Sequence, residues 1–316
     1  MPAVAQYLPD AAALKYDQGV DLEVCQCSGC GLVQLNSEPV DYYREVIRAS
    51  GFSDEMKEFR LKQFDNFVIQ NLLKGKKVIE IGCGRGEYLL VMKQRGVKAY
   101  GLEYSESSVG ECVKNGLDVS KGFVESEDYI IEYTPFDAFF ILSFLEHLPN
   151  PNSVLRGIYN NLSADAVGIV EVPNFDMILR NKLFTEFTRD HLLYFTKETL
   201  SIVLSFNGFE IVSCNEVWHD YIISAIVKKR KKLELSSFEE RQIKLKKEAG
   251  EYVGQFQKVA IWGAGHQALA TISLLSLGDK IKYVVDSAIF KQGKFTPATH
   301  IPIVSPDMLN FEPVDA

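Results

Sequence analysis

The sequence predicts an α/β protein: a parallel sheet with helices on both faces, followed by a second and shorter unit of the same kind. Two observations carry this. Short β-rich runs alternate with helical stretches at the spacing of strand–helix–strand units. Two of those runs, ending at Ile81 and Trp262, lead straight into glycine-rich turns that open a helix.

Residues 1–50 read as irregular, with a knuckle-like turn at Cys25-Gln-Cys27-Ser-Gly-Cys30-Gly. A helix is expected from Ser53 to about Leu73, because Met56, Phe59, Phe64, Phe67, Val68 and Leu72 recur near helical spacing. Lys77–Ile81 is a strand, Glu87–Arg95 a helix stopped by Gly96, Val97–Glu103 a strand and Ser105–Asn115 a helix ended by Gly116. Phe136–Ser143 and Ala166–Val172 are apolar strands, and Phe209–Trp218 with Tyr221–Lys228 forms an antiparallel edge hairpin. A charged helix, Ser237–Tyr252, connects to strand Lys258–Trp262, a helix reaching about Leu277, and strand Lys282–Asp286. The expected organisation is a small lobe over 1–50, a core over 51–232, a helical connector over 233–256 and a C-terminal unit over 257–316.

Composition narrows the function classes. At 316 residues the chain exceeds one ordinary core. The net charge of −8 argues against nucleic acid as a partner. The basic run from Lys228 to Lys232 reads as a solvated helix start or linker. No apolar stretch reaches the ~18–20 residues that span a bilayer, so no membrane partner is expected. The N-terminus lacks the basic and apolar regions of a signal peptide. Six cysteines, three of them crowded into 25–30, are no secreted disulfide framework, and a reducing cytoplasm is the expected location. Oligomeric state is not legible.

The turn Glu80-Ile-Gly82-Cys83-Gly84-Arg85-Gly86 closes a strand and opens a helix. Glycines let the backbone turn sharply and approach a ligand, and the free N–H groups of the helix face it. Glu103 ends the next strand, where an acid accepts both ribose hydroxyls of an adenosine. Glu80 discriminates between ligands. An acid at the strand end suits a sulfonium and an ammonium and is a poor neighbour for a pyrophosphate. This pattern resembles the Rossmann-like core of class I S-adenosylmethionine-dependent methyltransferases. The resemblance implies that Gly82, Cys83, Gly84 and Gly86 line the methionyl part, Glu103 the ribose, and Gly122 and Phe123 the adenine. Ser143 is a further cofactor-side candidate.

After the fourth strand, Glu146 and His147 fall at the sheet edge where ligands bind in open α/β folds. A histidine removes a proton at neutral pH, and an adjacent carboxylate orients it or stabilises its charged form. His191, in Arg189-Asp190-His191, is the second candidate base or a tie between lid and core.

Three segments narrow the resemblance: Cys27-Ser-Gly-Cys30-Gly-Leu-Val-Gln, Asp190-His191 with Tyr194-Phe195-Thr-Lys-Glu-Thr-Leu, and Tyr283-Val-Val-Asp286-Ser with Thr299-His300-Ile-Pro-Ile. Together they resemble the three-domain C-methyltransferases of nucleotide-linked keto-deoxysugars, over nearly the whole chain. That implies a zinc-binding N-terminal lobe, a methyltransferase core and a Rossmann-like C-terminal domain. It implies a nucleotide-sugar substrate, proton removal by the histidine matching His147 beside Glu146, and methylation of the resulting enolate. The family carries a tyrosine where this chain has Phe144. Substrate-side candidates are Tyr42, Tyr43, Phe144, Asn174, Tyr194, Gly263, Gly265 and His266. The implied zinc ligands Cys25, Cys27 and Cys30 make an incomplete set, since structural zinc takes four. With the second unit short of strands, the sequence looks like a piece of a longer protein, incomplete at both ends.

Alternatives stand beside this reading. One is O-methylation of a sugar or small molecule, because both chemistries need a base beside the sulfonium. Another is NAD binding at Gly263-Ala-Gly265-His266-Gln-Ala268 with Asp286 after the next strand. A third is a non-catalytic sugar-nucleotide binding or scaffold protein.

Overall fold

The computed structural model describes residues 1–3, 8–45 and 53–316. Two compact units divide the chain, Met1–Lys231 and Lys232–Ala316. In the first, β1 (Val24–Gln26) and β2 (Val33–Leu35) form an antiparallel hairpin. Its turn closes through Cys27 N–H to the Leu32 carbonyl (2.9 Å) and Gly31 N–H to the Cys27 carbonyl (2.9 Å).

Helix α1 (Asp54–Gln70) starts at Ser53, whose hydroxyl accepts from Met56 N–H, and Asp54 and Glu55 complement the positive helix start. It buries Arg60, Phe64, Phe67 and Val68. The helix ends before Leu72, contrary to the apolar spacing. Leu72 turns left-handed with φ 55° and is 82% exposed, and Leu73 takes the buried place.

Next come β3 (Lys77–Ile81), α2 (Glu87–Lys93), β4 (Lys98–Glu103), α3 (Glu106–Lys114), β5 (Asp118–Lys121), β6 (Phe136–Leu142), α4 (Pro151–Asn160) and β7 (Leu162–Pro173). After these lie α5 (Phe175–Asn181), β8 (Leu193–Tyr194), α6 (Lys197–Phe206), β9 (Phe209–Val217) and β10 (Ile222–Lys229). The main sheet runs β5-β4-β3-β6-β7-β10-β9. Its first five strands are parallel, and β10 and β9 add antiparallel. Strand order reverses between β3 and β6, which opens the crevice where such sheets bind ligands. β8 pairs with β2, so the small sheet β1-β2-β8 takes its third strand from beyond β7.

β6 shows why the Phe136–Leu142 run is apolar throughout. Phe139 and Ile141 join Leu155 and Leu204 on one face, while Phe140 and Leu142 join Phe64, Leu89 and Met92 on the other. A strand covered on both sides has no polar face to alternate with. Beneath its end lies a charged pair that residue patterning does not reveal. Arg60, 1% exposed, bonds to Glu171, 0% exposed, and Gln63 also bonds to Glu171. Removing one member of such a buried pair typically costs about 3–5 kcal/mol.

The second unit contains α7 (Ser236–Val253), β11 (Val259–Trp262), α8 (His266–Leu274), β12 (Ile281–Val285), β13 (Ile303–Val304) and α9 (Met308–Phe311). Its sheet is β11-β12-β13, all parallel, around Val259, Ile272, Val284 and Ile303. Among the described residues no helix is long and apolar enough to cross a membrane.

Candidate active site

The glycine turn after β3 sits at the reversal point. Gly82 and Gly84 have φ of 70° and 54°, conformations that favour glycine. A Cβ on Gly82 would meet the Phe144 ring at 2.9 Å, whereas one on Gly84 would meet nothing within 4 Å. Gly86 opens α2, and a Cβ there would lie 2.4 Å from Leu117.

Glu103 closes the turn from the next strand. Its carboxylate accepts from Gly84 N–H and Ser105 N–H, both at 2.8 Å. Burial raises its pKa, against the pull of those amides. Each oxygen keeps lone-pair capacity for a ribose hydroxyl. Gly122 N–H bonds to the Glu103 carbonyl at 2.9 Å, which brings Gly122 and Phe123 beside it. A slot is lined by Arg44, Gly82, Glu103, Tyr104, Phe123 and Phe144, among others.

Other cofactor-side residues act less directly. Glu80 is buried in β3 opposite Gly101 and Phe140. The Cys83 thiol points inward beside Cys112, and this contact together with burial raises its pKa well above the ordinary value. Cys83 therefore offers the slot backbone rather than sulfur. Ser143 is exposed at the end of β6 with φ 52°. The set fits S-adenosylmethionine: an open turn at Gly84 and buried carboxylates at the ends of two adjacent strands suit a cationic nucleoside.

Beyond β6, a 3₁₀ turn, Leu145–His147, carries the proton-transfer candidates. Glu146 and His147 are 1% and 4% exposed. His147 Nδ1 lies 2.7 Å from the Asp190 carbonyl, so Nδ1–H donates there and Nε2 keeps its lone pair. Nε2 is 3.9 Å from Glu146 Oε1, too far for a hydrogen bond. The expectation that Glu146 orients the imidazole is thus corrected, because the Asp190 carbonyl does so. Glu146 Oε2 is buried without a hydrogen-bond partner among the described residues, and desolvation pushes the carboxyl up to about 8. Burial lowers His147, opposed by the Asp190 contacts. His191 stands edge-on to His147 with ring centroids 4.7 Å apart, and burial followed by its neighbour brings it down to about 3.

Substrate-side expectations fare unevenly. Tyr42 donates to Asp190 Oδ1 at 2.8 Å, on the same residue that holds His147. Tyr43 instead packs edge-on against Phe123 at 5.9 Å, on the cofactor slot. Phe144 covers Gly82 and meets Phe123 edge-on at 6.2 Å. Asn174, 0% exposed, caps α5 and donates to Glu216 and the Asp220 carbonyl, so its amide is committed to structure. Tyr194, 4% exposed, ties down Thr188 through both its N–H and its carbonyl and is likewise closed to a ligand. Arg44 and Tyr104 on the slot carry no motif. Tyr221, half-buried with its hydroxyl on Glu186 at 2.9 Å, is raised to about 12 by burial and by charges that include Glu146.

Cys25 pairs with Gln34 in the hairpin. The Cys30 and Gly29 amides point at the Cys27 sulfur and lower its pKa. Among the described residues the three thiols do not form one metal-holding group, so the incomplete zinc set stays incomplete.

In the second unit Gly263 has φ 102° and Gly265 precedes α8, which starts at the exposed His266. Asp286 accepts from Ala264 N–H (2.7 Å), Ala288 N–H (2.8 Å) and Lys291 Nζ (2.8 Å). Lys291 and the amides bring its pKa down to about 2. The acid a dinucleotide ribose would need is thus ion-paired within its own unit.

Residues 63–189 match the family of methionine biosynthesis protein MetW, and residues 228–315 match the C-methyltransferase C-terminal domain. C-methyltransferase NovU of Streptomyces niveus is 24% identical over 325 residues, covering 90% of this chain and 76% of that protein. A ubiquinone biosynthesis O-methyltransferase of Pseudomonas entomophila (strain L48) is 35% identical over 92 residues, 28% of this chain and 40% of that enzyme. Among solved structures, an S-adenosylmethionine-dependent methyltransferase from Clostridium acetobutylicum ATCC 824 aligns at 13% identity with a TM-score of 0.47, over 60% of this chain and 96% of that one. The acid-flanked glycine slot at the sheet's reversal point, the C-methyltransferase domain match and the similarity to NovU over 90% of the chain identify a class I S-adenosylmethionine-dependent methyltransferase.

Proposed function

We propose that the chain methylates a carbon beside a ketone in a nucleotide-linked keto-sugar, with His147 as general base. The observation that carries this is the fixed, buried imidazole. Nδ1–H is held by the Asp190 carbonyl, and Nε2 keeps a lone pair beside an uncharged carboxyl. Bound in the slot, S-adenosylmethionine supplies the electrophilic methyl. His147 Nε2 takes the proton from the carbon, and the electron pair moves onto the ketone oxygen. Glu146, protonated below about pH 8, donates to that oxygen. This role matters because Phe144 has no hydroxyl to offer. A similarly neutral buried carboxyl serves other enolisations. His147 is 4% exposed, with Asp190 and His191 against it, so substrate entry requires neighbouring side chains to yield.

The match to a C-methyltransferase C-terminal domain over 228–315 and to NovU supports carbon as the acceptor. The shorter match to ubiquinone O-methyltransferases favours oxygen as the second reading. A labelled-methyl reaction with candidate nucleotide-sugars, read by mass and NMR, separates them. His147→Asn should lower turnover by on the order of 10²–10⁴ and stop solvent deuterium exchange at the acidic carbon, with S-adenosylmethionine affinity nearly unchanged. Persistence of both exchange and methylation would remove His147 from the chemistry.

A further inference from the structure

One charged side chain on the cofactor slot has no place in the motif. Arg44 lies in the 3₁₀ turn Tyr43–Glu45, far in sequence from the glycine turn, yet it lines the slot with Glu103, Tyr104, Gly122 and Phe123. Its guanidinium carbon is 5.2 Å from the Tyr43 ring centroid, 5.5 Å from Tyr104 and 5.2 Å from Phe123. Its outer nitrogen pairs loosely with Glu125 at 3.5 Å. Nε is buried and has no hydrogen-bond partner. A buried donor without an acceptor costs about 1–3 kcal/mol, so the site implies an acceptor that the described residues do not provide.

Position says what that acceptor is. Glu103 marks the ribose, and Gly122 with Phe123 follows on the strand-end side where the adenine is expected. Arg44 sits against Phe123 at that end. The slot is partly open and has room for about one water, about 10 Å³. An adenosine needs far more, so side chains of the wall must shift to admit it. Arg44 is the candidate to move, since a short turn, the side chains of Tyr43 and Tyr104 and one exposed ion pair hold it.

Resting on the assignment of this slot to the cofactor, we propose that Arg44 is an adenosine-binding residue. Its guanidinium lies at the edge of the adenine, and Nε–H donates to a ring nitrogen in the plane of the base. The N-terminal lobe thereby supplies part of the cofactor site.

The test is isothermal titration of the full chain with S-adenosylhomocysteine and with 5′-methylthioadenosine, which keeps the adenosine and lacks the amino acid. Arg44→Ala should weaken both ligands by about tenfold or more, the scale of one hydrogen bond from a charged donor. Arg44→Lys keeps the charge but loses the planar fork and the Nε–H, and should weaken both nearly as much. It also decides the matter if the alanine variant fails to fold. Unchanged affinity for both ligands, with or without a drop in melting temperature, overturns the proposal. Loss confined to S-adenosylhomocysteine would place Arg44 at the methionyl end and overturn it equally. Wild-type protein that binds neither ligand would instead bring down the cofactor assignment, and this inference with it.

Discussion

The molecule holds two glycine turns of the same kind, one after β3 and one after β11, and they differ in what their acids hold. In each, the acid ending the next strand accepts an N–H from the turn: Glu103 from Gly84, and Asp286 from Ala264. Asp286 also holds Lys291 at 2.8 Å, and its pKa falls to about 2. Glu103 holds backbone amides and faces the slot, and burial raises its pKa. The same backbone device thus ends on backbone amides in one case and on an ion pair in the other. The charge partner, rather than the glycine pattern, distinguishes the two turns.

The largest effect that can break this comparison comes from the glycines. Gly84→Val puts a branched side chain into the open space of the first turn and should abolish S-adenosylhomocysteine binding in a titration. The left-handed φ of 54° adds roughly 1–2 kcal/mol of strain, which the melting temperature reports. Gly265→Val, at an ordinary φ of −93°, should leave that affinity alone. Equal losses in both would mean the turns share one ligand.

The acids come next. Glu103→Ala removes acceptors for two hydroxyls, and charge-assisted bonds at ~1.5–3 kcal/mol each predict a loss of at least about 10²-fold in S-adenosylhomocysteine affinity. Asp286→Ala should cost stability and no affinity. NAD should give no binding heat with either variant or with wild type.

A smaller effect tests whether the chemistry belongs beside the first turn. If Glu146 must be protonated, turnover should fall as pH rises through about 8. His147, His191 and Tyr221 face it, and burial keeps both imidazoles neutral there. Glu146→Gln should lower turnover and erase that alkaline limb in the pH profile. An unchanged limb would assign it elsewhere.

The smallest effect is on stability against pH, and its sign differs between the turns. The depressed pKa of Asp286 gives stability that is present above its ordinary value near ~3.9 and is lost as pH falls towards about 2. Glu103 is raised, so its ionisation weakens the fold as pH rises from its ordinary value near ~4.3. Denaturation midpoints across pH should show Asp286→Asn flattening the acid limb and Glu103→Gln flattening the opposite slope.

The sequence by itself determined the parallel sheet and its cofactor turn. Strand and helix periodicity and the demand for glycine at positive φ are local properties, and both are written within a few residues. The acid at Glu103 was legible for the same reason, since a strand of fixed length separates it from the turn. Helix ends were less so: apolar Leu72 fits the helical spacing, yet the chain turns at Asn71 and buries Leu73 instead. Only the tertiary structure decided which polar groups meet across long separations. It set the Asp190 carbonyl rather than Glu146 behind His147, Tyr42 on Asp190, Arg60 against Glu171, and Lys291 on Asp286. It closed Asn174 and Tyr194 to ligands by occupying the polar groups of their side chains, and it brought Arg44 onto the slot beside Glu103. Partners of this sort are fixed by how the layers pack. A side chain's type says what it can bond, and only the packed neighbours determine whether that capacity is already spent.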